Sequence, residues 1–491
     1  MPIPPSAEPA ASRETTPPHL LLGGARVFLA ESLLLPTGLI LAAFLARRLG
    51  PGGYGLFAVT AAVIAWIEWS LTALFSRASV RVVADATDRS RIGSTIVSFH
   101  LFLAVTAALL LAALATPVSA MLGTRELAGP LRLFAADIPP FCLAQAHRNI
   151  LVGLGDFGER ALAAAARWIS RLVLVVIFVE LGLSVDGAIL GSIGASMVEL
   201  AVCRVFVRPR FSIHAALEFR HLWSVAAPLL LSAIALRLFD KLDLIALVHI
   251  VGSPREGGIY GAAQNLSLLP SLFAISFTPL LLSTLTSLRR KKDELAAKRL
   301  SRDAMRWVLL PLPFVGLALG SAPEIVGLVF GPGFSPAARL LPPLLLAAIA
   351  MLLVSVTTSI LIAAERMSLT LAFTAPLPVV AAIGYLVVIP RGGAGGAATV
   401  TFCSASLAAL ALMLAVHRVS GVFPPLQTIL RCGLVAGAAY VAAMAWPTAG
   451  VWLGIKLLTI SVGIVIALLL TREITSNDVL EIRSLGSTPD G

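Results

Sequence analysis

Charge is what this sequence lacks. Asp, Glu, Lys and Arg make up 13% of its 491 residues, against 58% that are hydrophobic, whereas a soluble domain carries roughly 25% charged residues. That scarcity excludes an ordinary soluble fold. Cysteine is scarce too: Cys142, Cys203, Cys403 and Cys432 stand singly in apolar segments, which excludes a disulfide framework and any Cys-based metal spacing. They read as packing residues. No Gly-rich phosphate loop occurs, so ATP is not expected to drive the chain directly. The first twenty residues are rich in Pro, Ala and Ser and lack an apolar core. They read as a disordered tail and not a signal peptide.

What is present is apolar length. With about 20 residues needed per crossing, the sequence predicts an all-α polytopic membrane protein of about 14 transmembrane helices. They run near 27–46, 54–77, 95–116, 131–152, 161–182, 185–206, 221–248, 258–288, 306–330, 336–364, 367–389, 394–417, 425–446 and 450–471. Pro139-Pro140 and Pro270 are expected to break the fourth and eighth. The net charge of +11 does not point to nucleic acid, because the basic residues are scattered over connecting loops. Counted by alternate loops and tails, Lys and Arg divide about 24 to 7, and the positive-inside rule then puts both termini in the cytoplasm. The richest inside segment runs from Arg289 to Arg306.

The chain also repeats itself. Gly52-Gly53-Tyr54-Gly55 opens the second span and Gly258-Ile259-Tyr260-Gly261 the eighth, an offset of 206 residues that also relates Pro117 to Pro323. Six spans per copy give both copies one orientation, with a path between them. The expected division is a tail at 1–20, a first lobe at 21–214, a second at 215–420, a terminal helix pair at 421–472 and a tail at 473–491. The Gly-Tyr-Gly corners suit tight turns, with Tyr54 and Tyr260 in the interfacial belt.

Three segments carry a resemblance. They are Ala46-Arg47-Arg48-Leu49-Gly50-Pro51-Gly52-Gly53-Tyr54-Gly55-Leu56, Arg237-Leu238-Phe239-Asp240-Lys241-Leu242-Asp243 with the following Gly257 to Asn265, and Ala322-Pro323 through Phe334. They resemble polysaccharide and O-antigen-type flippases of the multidrug/oligosaccharidyl-lipid/polysaccharide exporter superfamily. The resemblance implies two pseudo-symmetric six-helix lobes in a V plus two C-terminal helices, in the bacterial cytoplasmic (inner) membrane. It implies alternating-access flipping of an undecaprenyl-diphosphate-linked oligosaccharide from the inner to the outer leaflet. The implied partners are that lipid-linked oligosaccharide, the bilayer, and a polysaccharide polymerase or other assembly proteins.

Such a cargo needs cations for its diphosphate, and an Arg fork matches phosphate oxygens. Arg77 and Arg81, Arg148, and Arg167 and Arg171 lie toward the inner ends of first-lobe spans. The i,i+4 pairs 77/81 and 167/171 each share a helix face. Arg171 lies about 15 Å into the fifth span, too deep to reach water easily. In the seventh span Arg237 and Lys241 share a face beside Asp240 and Asp243. This cluster is either a self-neutralised structural knot or a site where Arg237 or Lys241 meets the diphosphate while a carboxylate takes up H+ or Na+. No other cofactor and no metal are expected.

Glu31, Glu68, Asp137 and Glu199 are the remaining intramembrane acids. Glu31 and Glu68 join Asp240 and Asp243 as coupling or gating candidates, because the 206-residue offset sets Glu31 against Arg237 across a cleft. Asn265, with Gln264 and Ser267, either lines the cavity for sugars or binds a neighbouring helix. His100, His147 and His249 read as packing or helix-end residues. A peptidoglycan-precursor flippase fits the same pattern. A multidrug cation antiporter of the superfamily fits less well, since Arg171 and Arg237 would repel its cargo. Short outside loops argue against a membrane-embedded glycosyltransferase or polymerase.

Overall fold

The computed structural model describes residues 26–27, 29–73, 83, 89–209, 239–471 and 473. Every element among them is helical. Lipid offers no partner for backbone N–H and C=O groups, so an apolar chain of this composition satisfies them within helices. Among the described residues, eight helical stretches are long and apolar enough to cross a bilayer, and nine if one bent pair counts. Three of them, Leu29–Thr72, Phe157–Phe206 and Met367–Ser420, have 44, 50 and 54 residues. Each is far longer than one crossing requires, and each is broken within.

The breaks are local and chemical. Helix α1 (Leu34–Ala73) turns at Gly50, with φ 65° and ψ 177°, followed by Pro51. No side chain with a Cβ adopts that backbone cheaply, and Pro51 withholds the N–H that would continue the ladder. After α2 (Arg89–Met121) come α3 (Ala128–Ala135) and α4 (Ile138–Leu154), which meet at 43°. Pro139-Pro140 start α4, so the expected break in the fourth span lies at Asp137. Helices α5 (Phe157–Phe178) and α6 (Ser184–Phe206) form a hairpin through a π-helical turn at Val179–Leu183. Helix α7 is described over 239–251.

Helix α8 (Pro254–Ser267) begins with a serine N-cap. Ser253 accepts from the Glu256 amide at 3.4 Å, and Pro254 takes the first turn, where its missing donor costs nothing. Pro270 caps α9 (Ser271–Arg290), which is the break expected in the eighth span. Helix α10 (Glu294–Trp307) is amphipathic: Ala297, Ser301, Ala304 and Met305 are buried, while Lys298, Arg299 and Arg302 are exposed. Helices α11 (Leu312–Gly320), α12 (Ala322–Phe330), α13 (Leu341–Ala363) and α14 (Met367–Thr374) follow. Helix α15 (Leu377–Ser420), broken at Gly393, leads to the terminal hairpin of α16 (Leu426–Ala445) and α17 (Val451–Leu470).

One core runs from the α1–α6 group into the α7–α15 group. It holds Leu45, Tyr54, Leu127 and Ile138 from the first, and Tyr260, Phe330, Phe334 and Tyr385 from the second. A separate core of Leu309, Leu317, Cys432, Ala439, Ala443, Ile464 and Leu468 seats the terminal hairpin against α11. Large apolar residues such as Leu434, Trp452, Leu458 and Leu470 are exposed on that hairpin, as a lipid-facing surface requires. Tyr54 and Tyr260 are buried at 2% and 0% exposure, so the interfacial-belt expectation fails. Each hydroxyl has a side-chain partner, half-buried Asn265 for Tyr54 and buried Asp243 for Tyr260, so neither needs water.

Candidate functional site

The two helix groups join at one end of the bundle. There the two copies of the Gly/Tyr motif touch. A Cβ placed on Gly55 would overlap the Pro254 carbonyl, and one on Gly258 the Pro51 carbonyl. Tyr54 stacks edge-on against Phe334 with centroids 5.8 Å apart. Arg47 Nε donates to the Val329 carbonyl at 3.0 Å, and its Nη2 to that of Leu328. These are orphan carbonyls at the end of α12, where a cation is favoured. His249 Nδ1 meets the Met121 carbonyl, and Gly123 lies against Gly252.

Beneath this closed end lies a cavity of about 340 Å³. Its walls come from α1 (Glu68, Trp69), the α3–α4 break (Asp137), α4 and α5 (Phe141, Arg167, Trp168, Arg171), α7 (Lys241) and α8 (Gln264, Asn265). Expected candidates Arg167, Arg171, Lys241, Asn265 and Glu68 therefore meet in one space. The i,i+4 spacing turns Arg167 and Arg171 toward it together.

Arg167 is tightly held. Its Nη1 donates to Glu199 Oε2 at 2.9 Å and to Ser196 Oγ at 3.2 Å. Its guanidinium lies 4.5 Å from the centre of the Phe141 ring and 5.6 Å from that of Trp168, a cation–π seat. Glu199 also pairs with Arg148 at 3.2 Å, and Arg148 with Glu31 at 3.4 Å. Arg160 closes the series on Glu31 at 3.5 Å. A ladder of alternating charge, Arg160–Glu31–Arg148–Glu199–Arg167, thus links four helices behind the cavity wall. Arg148 and Glu31 do not line the cavity. Arg148 serves as a rung, and the Glu31 carboxylate is shared by two arginines of its own helix group.

In α7, Lys241 Nζ donates to Gln264 Oε1 at 3.1 Å, and Gln264 Nε2 donates to both Asp243 oxygens at 3.1 Å. Asp243, 2% exposed, also accepts from Tyr260 Oη at 2.7 Å, Thr401 Oγ1 at 3.5 Å and the Leu244 amide at 2.7 Å. Tyr385 Oη meets Thr401 at 2.8 Å. Lys241 and Asp243 are thus linked through an amide, and only Lys241 faces the cavity. Asp240 is exposed and does not line it. Asn265 donates to Tyr54 Oη at 2.8 Å and to the Gly261 carbonyl at 2.9 Å, so it ties α8 to α1 while lining the cavity. Arg77, Arg81 and Arg237 lie outside the described residues.

Sequence reasoning missed the parts played by Glu199, Gln264, Tyr260, Thr401 and Tyr385. Glu199 carried a signal, as an acid within a span. Its pairing with Arg167, 32 positions away, came only with the α5–α6 hairpin.

The profile of the family described as polysaccharide biosynthesis protein matches residues 24–281, just over half of the sequence. The chain belongs to that family. By sequence, no curated protein matches it. Among solved structures this family member is similar to the lipid II flippase MurJ in an inward-closed conformation. The identity is 16% and the TM-score 0.78, over 92% of this chain and 99% of that one. An inward-facing multidrug resistance MATE transporter of the MOP superfamily matches at 15% identity and TM-score 0.61, over 84% and 95%. So does a MOP superfamily transporter from Pyrococcus furiosus with a binding pocket of reverse polarity, at 16% and 0.59, over 85% and 96%. The family member therefore has the MOP fold, with several helical stretches long and apolar enough to cross a membrane, and its family is one of polysaccharide biosynthesis.

Proposed function

We propose that this family member is a transporter that flips an undecaprenyl-diphosphate-linked oligosaccharide from the inner to the outer leaflet by alternating access. The observation that carries the reading is the cavity closed at the Gly50 end, which gathers Arg167, Arg171 and Lys241 with polar Gln264 and Asn265 from both helix groups. Cations suit a diphosphate, and polar walls suit sugars. In this reading the chain crosses the membrane fourteen times, as two six-helix lobes and a terminal pair. The Gly50 end faces outside, and the basic α10 and both termini face the cytoplasm of a bacterial inner membrane.

Coupling to H+ or Na+ is assigned to Asp243, whose carboxylate sits among Tyr260, Gln264 and Thr401 and communicates with the cavity through Gln264 and Lys241. Asp240 remains the neighbouring candidate. Arg77, Arg81 and Arg237 are proposed as further diphosphate contacts, and a polysaccharide polymerase or other assembly proteins as downstream partners. A lipid-precursor flippase of peptidoglycan synthesis needs the same diphosphate chemistry. Glu68 and Asp137 speak for a multidrug cation antiporter, but the cavity's three cations oppose a cationic cargo.

Reconstitution in proteoliposomes tests the proposal. Labelled undecaprenyl-diphosphate oligosaccharide should change leaflet faster than in protein-free vesicles, with the rate set by an H+ or Na+ gradient. Transport of cationic dyes without movement of lipid-linked glycans would refute it.

A further inference from the structure

The richest basic segment, Arg289 to Arg306, holds eight cations and three acids, and none of them lines the cavity. The chain turns there from α9 into α10 within a few residues. Lys291 is the C-cap of α9, and Lys292 follows at φ 59°, in the left-handed region. The amides of Lys291, Lys292 and Asp293 donate to the carbonyls of Ser287, Arg289 and Leu288 at 3.0, 2.9 and 3.0 Å. Asp293 then caps α10, accepting from the Ala296 amide at 3.0 Å. The corner is therefore a bonded frame, and its side chains start from fixed positions.

Glycine or asparagine usually fills the left-handed place after a helix, because a Cβ there crowds the next carbonyl. Lysine stands here against that backbone preference. Around it, Arg290, Lys291, Lys292, Lys298, Arg299 and Arg302 are all exposed, and none has an ion-pair partner among the described residues. The nearest acids are engaged: Asp293 in the cap, and Glu294 with Arg289 at 3.7 Å. Leu295 sits among these cations and is 63% exposed. Positions 295, 298, 299 and 302 share one helix face, opposite buried Ala297, Ser301, Ala304 and Met305.

Depth fits this face to a membrane surface. Glu294–Gly320 is one stretch of 27 residues, about 40 Å at the helical rise, against about 30 Å of hydrocarbon. The excess of about 10 Å falls at the charged end, which puts the first two turns of α10 at headgroup depth. There, phosphates meet the cations while Leu295 enters the acyl boundary. A soluble anion would use the cations and leave Leu295 in water.

We propose that the α9–α10 corner is a binding surface for anionic phospholipid headgroups of the leaflet it faces. The surface stands apart from the flippase reading, since it requires only that this end of the bundle meets a bilayer.

Fluorescence quenching by lipid tests this on the full-length protein in vesicles. The fluorophore is carried by Ser287→Cys, an exposed position one turn before the corner, in a variant without native cysteines. The vesicles are phosphatidylcholine with a small fraction of acyl-chain spin-labelled phosphatidylglycerol, or the same fraction of spin-labelled phosphatidylcholine. At low salt phosphatidylglycerol should be preferred at the corner about tenfold, and the preference should shrink as ionic strength rises. Joint substitution of Lys291→Gln, Lys292→Gln, Lys298→Gln and Arg299→Gln should bring the two lipids within about twofold of each other. Lys292→Gly should lower the preference roughly twofold to fivefold and yet raise the thermal unfolding temperature in detergent, because glycine relieves the left-handed backbone.

Equal quenching by the two lipids in the wild type overturns the proposal, and so does an unchanged preference in the fourfold variant. Displacement of phosphatidylglycerol by equimolar inorganic phosphate would make the corner a soluble-anion site, and displacement by a trace of undecaprenyl diphosphate would make it a cargo-docking site. Either result overturns the proposal as well.

Discussion

Gly55 and Gly258 meet backbone to backbone, with no room for a Cβ on either. The contact joins two copies of one sequence motif, and it holds the two helix groups together above the cavity. Gly55→Ala or Gly258→Ala should part the helices at that end. Double electron–electron resonance between labels at the exposed positions Arg125 and Arg255, in a variant without native cysteines, should show a longer mean distance. A distance unchanged from the wild type would mean that the closed end tolerates the methyl and is not set by this contact.

Arg47 reaches across the same end to two carbonyls that α12 cannot satisfy itself. Arg47→Ala removes both bonds, and since Arg47 is exposed the loss should be about 1 kcal/mol, roughly fivefold toward the open form. Arg47→Lys should recover only part, because an ammonium cannot span two carbonyls as a fork does. Cysteine accessibility at Phe334 reads the change. Equal labelling of wild type and Arg47→Ala would deny Arg47 any role in closure.

Lys456 of α17 is fully buried and donates to both oxygens of Glu324 at 2.9 Å, while Glu324 also accepts from the Thr448 amide at 3.1 Å. The Glu324 side chain is 17% exposed. Removing the acid strands a buried cation, so Glu324→Gln should cost about 3 kcal/mol of unfolding stability. Lys456→Met leaves a carboxylate that can turn to water and should cost about 1 kcal/mol. Thermal unfolding should rank them in that order, with the double variant above Glu324→Gln alone. The opposite ranking would show that the carboxylate, not the lysine, is the stranded charge.

Glu199 is shared by Arg148 and Arg167. Glu199→Gln should therefore act on both, and its effect on stability should not add to that of Arg167→Met. A double-mutant cycle is expected to give a coupling of about 1–3 kcal/mol, as for groups in one network. Additive losses would dissolve the ladder into independent contacts. At the other end of the terminal hairpin, Glu473 accepts from Arg431 at 2.9 Å and Thr428 at 2.8 Å and pairs with Arg306 at 3.5 Å. Together with Lys456 this pins the hairpin to its neighbours at both ends.

Much of this was legible in the chain. Apolar length specified helices crossing a bilayer, since hydrocarbon admits no unpaired backbone. Pro139-Pro140 and Pro270 marked real breaks, because proline withholds a donor wherever it stands. Helical period alone turned Arg167 and Arg171 to one face. All these are local properties, set within a few residues of sequence.

Tertiary structure alone decided which charges meet. Glu31 pairs with Arg148 and Arg160, while Arg237, set against it by the repeat, lies outside the described residues; Arg171 and Lys241 were singled out separately and share one cavity. Tyr54 and Tyr260 read as interfacial and are buried, since the partners that make burial tolerable, Asn265 and Asp243, come from other turns or helices. Partner choice for a buried charge depends on how helices cross and rotate. Small residues such as Gly55 and Gly258 set that through contacts some 200 positions apart in sequence. Sequence thus fixes where charge enters the membrane, and packing fixes what it faces.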